Sequence, residues 1–207
     1  MVYLSGCLPY NLEVRQEMFA AGIGLMLTPI SQRYAPAPEW VWAADNGCFS
    51  NRWEEKTWLK WLQSFEDPSK ALFATVPDVV ANHIETIKRW EQYAPKVSEL
   101  GFKPAFVLQD GASETLPFAE MGALFIGGTT EFKLSNKVKH IVQIAKSHHI
   151  WVHMGRVNSY KRMLVAYDFG CDSVDGTYIA FGPDLNTRKL ILMLNRLHGA
   201  STQMPLF

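Results

Sequence analysis

Gly170-Cys171-Asp172-Ser173-Val174-Asp175-Gly176 is a short strand-like run that ends on a carboxylate followed by a glycine. Four earlier apolar runs also end in a polar group or a glycine pair: Ala43-Ala44-Asp45-Asn46-Gly47, Thr75-Val76-Pro77-Asp78, Val107-Leu108-Gln109-Asp110-Gly111 and Phe125-Ile126-Gly127-Gly128. Strands that each end in a polar group are how a barrel of parallel strands assembles one active site from distant sequence. Two of these carboxylates, Asp45 and Asp175, suit a nucleophile and an acid/base role.

Working outward, eight strand candidates emerge: Val2–Ser5, Ile23–Thr28, Trp40–Ala44, Ala71–Val76, Ala105–Leu108, Ala123–Ile126, Ile150–Met154 and Ser173–Asp175. Amphipathic stretches lie between them, most clearly Glu54–Phe65, Ile84–Tyr93, Asn136–His148, Tyr160–Phe169 and Asn186–Leu197. In Glu54–Phe65 the side chains Trp58, Leu59, Leu62 and Phe65 recur at helical spacing, so this Trp-rich stretch reads as helix packing rather than a base-stacking platform. Ser135-Asn136 and Asn186-Thr187 read as helix starts, and Gly22, Gly101, Gly122 and Gly170 as helix ends before the next apolar run. Alternating strand and helix argues for a parallel sheet. Eight units argue for an α/β fold of the compact (β/α)8, TIM-barrel type, with an open doubly wound sheet as the alternative. The connection Leu27–Trp40, with Pro29, Pro36 and Pro38, reads as a long loop, and Ser113–Glu120 allows barely one helical turn.

The 207 residues are 48% hydrophobic and 19% charged, which fits a single domain over residues 1–207. No apolar run is long enough to span a bilayer, and MVYLSGCLPYNLEVRQ lacks the basic start and long apolar stretch of a secretory signal. Cys7, Cys48 and Cys171 are odd in number and far apart, which points to a reducing, cytoplasmic setting. No pair of them has zinc-ligand spacing, so neither a metal nor another cofactor is expected. Net charge is zero, yet residues 1–129 carry 10 Lys+Arg against 15 Asp+Glu, and residues 130–207 carry 10 against 5. A basic C-terminal part of this kind either binds phosphates or forms a solvated helical surface.

In the predicted barrel, Asp45, Asp78, Gln109, Gly127-Gly128, Arg156 and Asp175 all fall at carboxyl ends of strands, which share one face. Any one Asp in such a place also reads as a turn or helix cap. Repetition at the same place in successive units favours function. His153 is placed inside the barrel, as a satisfied core histidine rather than a metal ligand, and Asp172 either supports Asp175 or caps a turn. Arg156, Lys161, Arg162, Lys133 and Arg188 lie in loops or first turns after late strands; they are candidate phosphate contacts, with ordinary surface charge as the alternative.

Several segments carry a family resemblance. Asp-Asn-Gly-Cys-Phe-Ser at 45–50 resembles the Asp-Ser-Gly-Gly-Phe-Gln segment of the tRNA-guanine transglycosylase family. Val76-Pro77-Asp78, Val107 to Gly111, Leu124 to Gly128, Val152-His153-Met154-Gly155-Arg156 and Cys171 to Asp175 resemble later segments of that family, in the same order. The family's zinc-binding Cys/His insertion has no counterpart, and the chain is much shorter. Both features, with Met-Gly-Arg-Val-Asn-Ser at 154–159, look more like the short phage and bacterial deazaguanine DNA transglycosylases.

The resemblance implies an enzyme that exchanges guanine in DNA for a 7-deazaguanine derivative through a covalent Asp–sugar intermediate. It implies Asp175 as nucleophile and Asp45 as acid/base. Asp78, Gln109, Gly127 and Gly128 become groups that recognise the purine, with Met154 an apolar contact on the base. The implied partners are DNA, with tRNA as the alternative, and a free 7-deazaguanine base such as preQ0. A protein partner or homodimer would help hold DNA. The chemistry suits these residue types: one carboxylate bonds to the anomeric carbon while a second group manages protons. The other readings are a base-excising glycosylase, a non-catalytic nucleic-acid-binding barrel, and a barrel enzyme for a small phosphorylated or carboxylic substrate clamped by Arg156.

Overall fold

The computed structural model describes residues 1–30, 36–37, 39–50 and 53–201. In chain order its elements are β1 (Val2–Ser5), α1 (Leu12–Ala20), β2 (Gly24–Leu27), β3 (Trp42–Ala44), α2 (Glu55–Leu62), β4 (Ala74–Thr75), α3 (His83–Glu99) and β5 (Pro104–Leu108). They continue with β6 (Ala123–Ile126), α4 (Thr130–Lys133), α5 (Asn136–Ser147), β7 (Trp151–Met154), α6 (Tyr160–Phe169), β8 (Ser173–Gly176) and α7 (Pro183–Ser201). Each strand pairs parallel with the next, and β8 closes onto β1 in the register Val2↔Ser173 to Ser5↔Gly176. The closed (β/α)8 barrel read from the sequence is the fold; the open-sheet alternative is excluded.

Period-two alternation divides the strands between two cores. Leu4, Met26, Ala43, Phe73, Ala105 and Ala123 fill the barrel interior, joined by the half-buried Phe125 and Trp151. Their neighbours Tyr3, Leu25, Trp42, Phe106, Leu124, Val152 and Val174 point outward and pack under the helices. Small alanines opposite large rings let a narrow barrel fill completely, as close packing requires. Inside it, Phe73 and Phe125 meet edge-to-face at 6.3 Å between centroids.

The strands at β3 and β4 are shorter than the apolar runs that encode them, although the pairing reaches further. Leu72 N donates to Trp42 O at 2.8 Å, and Val76 N donates to Ala105 O at 3.1 Å. Helix α1 carries little amphipathic signal and buries only Val14 and Met18. Asn11 starts it by accepting from the backbone N–H groups of Glu13 and Val14. Helix α3 runs past the predicted end at Tyr93 and through Pro95, because Ala94 and Val97 continue its buried stripe. Helix α7 begins at Pro183, three residues ahead of the predicted Asn186 start, with proline in the first turn. Gly170 ends α6 in the left-handed conformation, as expected. Gly122 has a different reason: a Cβ there would come within 2.5 Å of Lys103 Cβ. Residues 31–35 and Pro38 of the predicted long loop lie outside the described residues. Among the described residues no helix is long and apolar enough to cross a membrane.

Candidate active site

The same alternation that fills the barrel carries polar groups to its mouth. Interior positions continue past the last packed layer as Asp45 after β3, Val107 in β5 and Gln109 just after it, Phe125 in β6 and Gly127 just after it, Gly155 after β7, and Asp175 within β8. Together with Asp78, Gly128, Arg156 and Phe49 they line one cleft of about 390 Å³ at the carboxyl ends of the strands. That is the end where barrels of this type carry their sites.

Asp175 is held from one side only. Its Oδ1 lies 3.0 Å from His153 Nε2 and accepts from the Arg156 backbone N–H at 3.1 Å. The side chain keeps 21% of its surface exposed, while His153 is fully buried. His153 Nδ1 meets Ser173 Oγ at 2.8 Å, and Ser173 Oγ accepts from Trp151 Nε1 at 2.8 Å. His153 thus does sit inside the barrel as a satisfied histidine, but one of its partners is the cleft carboxylate.

Asp45 sits in a contrasting environment. Burial, then the nearby charges of Asp175 and Asp78, push its carboxyl up to about 7. The Thr75 hydroxyl, 3.2 Å from its Oδ1, opposes that rise. Asp78 is also pushed up by burial, but amide donors on both oxygens hold it down: Asn46 Nδ2 to Oδ1 at 3.0 Å and Gln109 Nε2 to Oδ2 at 2.6 Å. Gln109 Oε1 accepts from Ala81 N at 2.9 Å, so its amide is oriented from both ends. Asn46 donates also to Val76 O and accepts from Cys48 N, which locks the loop after β3 to the loop after β4. Three carboxyl groups in one cleft, in unlike surroundings, are what separates acid, base and nucleophile roles.

The turn after β7 completes the wall. Gly155 is required there: a Cβ would meet the Phe125 ring at 2.8 Å and stand 3.3 Å from Asp175 Oδ1. Arg156 follows in a left-handed conformation at φ 61°, a strained state for a side-chain-bearing residue. Its guanidinium donates to Gly128 O and lies over the Phe49 ring at 4.5 Å from the centroid.

Three sequence expectations need correction. Met154 is 1% exposed and packs in the outer layer beneath the helices; lying between the inward-facing His153 and Gly155, it faces away from the cleft. Phe125 and Val107 supply the apolar cleft wall instead. Lys133 is 3% exposed, and its Nζ donates to Gly155 O at 2.6 Å, so it braces the turn rather than meeting phosphate. Arg188 forms a two-pronged pair with Glu17 at 2.9 and 2.8 Å, outside the cleft. Of the other cations, Lys161 is exposed on α6 and Arg162 reaches Arg156 O at 3.4 Å. Asp172 lies at the opposite end of β8 from the cleft and pairs with Lys146 at 2.7 Å. Sequence reasoning missed Asn46, Phe49, Phe125, Asn158 and Thr177 as cleft residues. Only the inward position of Phe125, two before Gly127, was readable.

Fold and cleft together define a closed parallel (β/α)8 barrel with its polar groups gathered at the carboxyl ends of the strands. Among solved structures the chain is similar to a native KDPGal structure, with a TM-score of 0.62 and 16% identity over 98% of this chain and 95% of that one. It is also similar to a cube-shaped, highly porous protein cage designed by fusing symmetric oligomeric domains, with a TM-score of 0.61 and 15% identity over 98% of this chain and 72% of that one. At such identities the likeness is one of fold. No family model matches the chain, and no curated protein does.

The resemblance to the tRNA-guanine transglycosylase family is corrected accordingly. No family or curated match supports it, and a similar solved barrel is a KDPGal structure. The physical reason lies in the loops. Gly47, Gly111 and Gly128 all have positive φ, and Asp110 binds the Thr129 N–H and hydroxyl that begin α4. Short Asp/Gly segments after barrel strands therefore recur for reasons of turn geometry.

Proposed function

We propose that the cleft performs base exchange on a nucleoside within a polynucleotide, replacing guanine in DNA with a 7-deazaguanine derivative. The observation that carries this reading is the contrast between Asp175 and Asp45 in one cleft. Asp175 is gripped at Oδ1, and among the described residues Oδ2 receives no donor. Asp45 is half-buried, and desolvation together with the charges of Asp175 and Asp78 poises it near neutrality. In the exchange, Asp175 Oδ2 attacks the anomeric carbon as the carbon–nitrogen bond to guanine breaks, and the Asp45 proton passes to the departing base. The incoming base gives its proton to Asp45, and its nitrogen displaces the Asp175 carboxylate. Protons and electrons balance without a redox step or an added cofactor.

Asp78 and Gln109 supply the carboxylate and amide that a guanine edge needs, since that edge both donates and accepts. The Gly127-Gly128 backbone borders the same space, and Val107 and Phe125 offer apolar surface to a planar base. Arg156 lines the cleft, with Arg162 reaching its carbonyl, where a phosphate of the strand would lie. A base in duplex DNA would first be flipped out, at about a few kcal/mol. Imine chemistry on a carbonyl substrate is disfavoured, because among the described residues no lysine lines the cleft and Lys133 Nζ is committed to Gly155 O.

The test is exchange of labelled guanine into duplex DNA, single-stranded DNA and tRNA, with the unaltered chain and Asp175→Asn. Label entering DNA with the unaltered chain alone is the expected result. Label in tRNA only would replace the polymer, and abasic product would replace exchange by hydrolysis. No reaction on any of the three would overturn the reading.

A further inference from the structure

We infer that His153 is a positioning residue for the attacking carboxylate, acting as a neutral imidazole whose single proton is fixed at Nε2 by Ser173. The inference rests on the reading of Asp175 as nucleophile, and its first test needs no substrate.

An indole N–H can only donate, so Ser173 Oγ is the acceptor of the 2.8 Å bond from Trp151. Ser173 is fully buried, and its hydroxyl proton must go somewhere. Among the described residues its other neighbour is His153 Nδ1, at 2.8 Å. Nδ1 is therefore an acceptor, and the ring proton sits on Nε2, directed at Asp175 Oδ1 3.0 Å away. A proton on Nδ1 would strand the serine hydroxyl; on that nitrogen alone it would also set a lone pair against the carboxylate. A doubly protonated ring would strand the hydroxyl too. The ring is enclosed by Phe125 at 4.6 Å and Phe73 at 5.2 Å, which hold its plane in the barrel.

The chain of bonds starts at the packed interior and ends on the nucleophile. His153 and the Arg156 N–H both bind Oδ1, which leaves Oδ2 to attack. It also fixes the rotation of the carboxylate before substrate arrives, so no ordering cost falls on the reaction.

Long-range 1H–15N spectra of the full chain labelled on histidine read the tautomer directly. The expected result is an Nε2–H, Nδ1-unprotonated ring for His153 at neutral pH, lost to a mixture in Ser173→Ala. An Nδ1–H or doubly protonated ring in the unaltered chain would overturn the inference, whatever the enzyme does. In base exchange, His153→Phe should lower kcat on the order of 10–100-fold with KM little changed, the range typical of supporting residues. His153→Gln, which restores an N–H toward Oδ1, should recover most of that loss. Equal losses in both variants, or a loss confined to KM, would count against positioning. Thermal unfolding controls for His153→Phe; if it does not fold, Ser173→Ala, which leaves the ring in place, carries the kinetic arm. Absence of exchange in the unaltered chain would sink the function while the spectrum still decides the tautomer.

Discussion

Lys133 Nζ donates to Gly155 O at 2.6 Å from a side chain that is only 3% exposed. This bond ties α4 to the turn that presents the Arg156 N–H to Asp175. Burial, then repulsion from Arg156, pushes the Lys133 amine down to about 8, with Asp175 pulling the other way. The sign follows from linkage: an amine depressed from 10.5 to about 8 binds its proton less well in the folded chain. Its contribution to stability is present above 10.5 and is lost as pH falls through 8. Denaturant midpoints should therefore rise between pH 8 and 10 in the unaltered chain and stay flatter in Lys133→Met. A parallel rise in both would refute the assignment.

Asp45 predicts the opposite slope. Its folded value is raised from 3.8 to about 7. Its contribution is fully present below 3.8 and lost as pH rises through 7. Asp45→Asn should thus be more stable than the unaltered chain at pH 8, by at most about 4 kcal/mol, with the gap closing toward pH 4. The same variant should lose base exchange. In the unaltered chain, kcat/KM for the polynucleotide should fall above pH 7, where the proton for the departing base is missing. A variant that is less stable at pH 8 would remove the case for a carboxyl poised near neutrality.

Arg156 and Arg188 separate a cleft cation from a paired one. Arg156→Ala should weaken binding to DNA and reduce the salt dependence of binding by about one phosphate's worth. Arg188→Ala should leave both unchanged, because its guanidinium is already engaged by Glu17. Titrations of labelled DNA at several salt concentrations measure this, and equal effects from the two would overturn the assignment of Arg156 as the cleft's phosphate contact.

Gly155→Ala tests how tightly the turn is built. A methyl group there collides with Phe125 and crowds Asp175 Oδ1. Overpacking of this kind costs about 1–3 kcal/mol. The expected outcome is a lower melting temperature together with loss of exchange beyond what Arg156→Ala causes. Normal activity would mean that the Phe125 ring moves aside freely.

The barrel was legible because its signal repeats: strands β1 and β6 and helix α6 occupy the residues their patterns indicate. The gathering of Asp45, Asp78, Gln109, Gly127, Gly128, Arg156 and Asp175 in one cleft was likewise readable from their common place after strands. What stayed hidden depends on contacts between distant segments. Met154 and Gly155 are adjacent in sequence, yet a period of two sends them to opposite sides of the wall. Lys133 looks like any cation in a first turn until the neighbouring turn covers it. Helix α1 lacks a strong apolar stripe and is revealed by its Asn11 cap alone. The ordered Asp/Gly segments were misleading for a related reason, since turns impose the same residues on unrelated barrels.

The strand that carries Asp175 is registered against the first strand of the chain, with Leu4 opposite Asp175. No residue of β1 lines the cleft, yet β1 supplies the last edge that β8 requires. The segments bearing Asp45, Asp78 and Gln109 pair only with strands next to them in sequence, whereas β8 pairs with β7 on one side and with the distant β1 on the other. That contact, spanning some 170 residues, is entropically the slowest to form. The wall that carries Asp175 thus gains its second edge only when the β1–β8 seam closes, although β1 adds no side chain to the cleft.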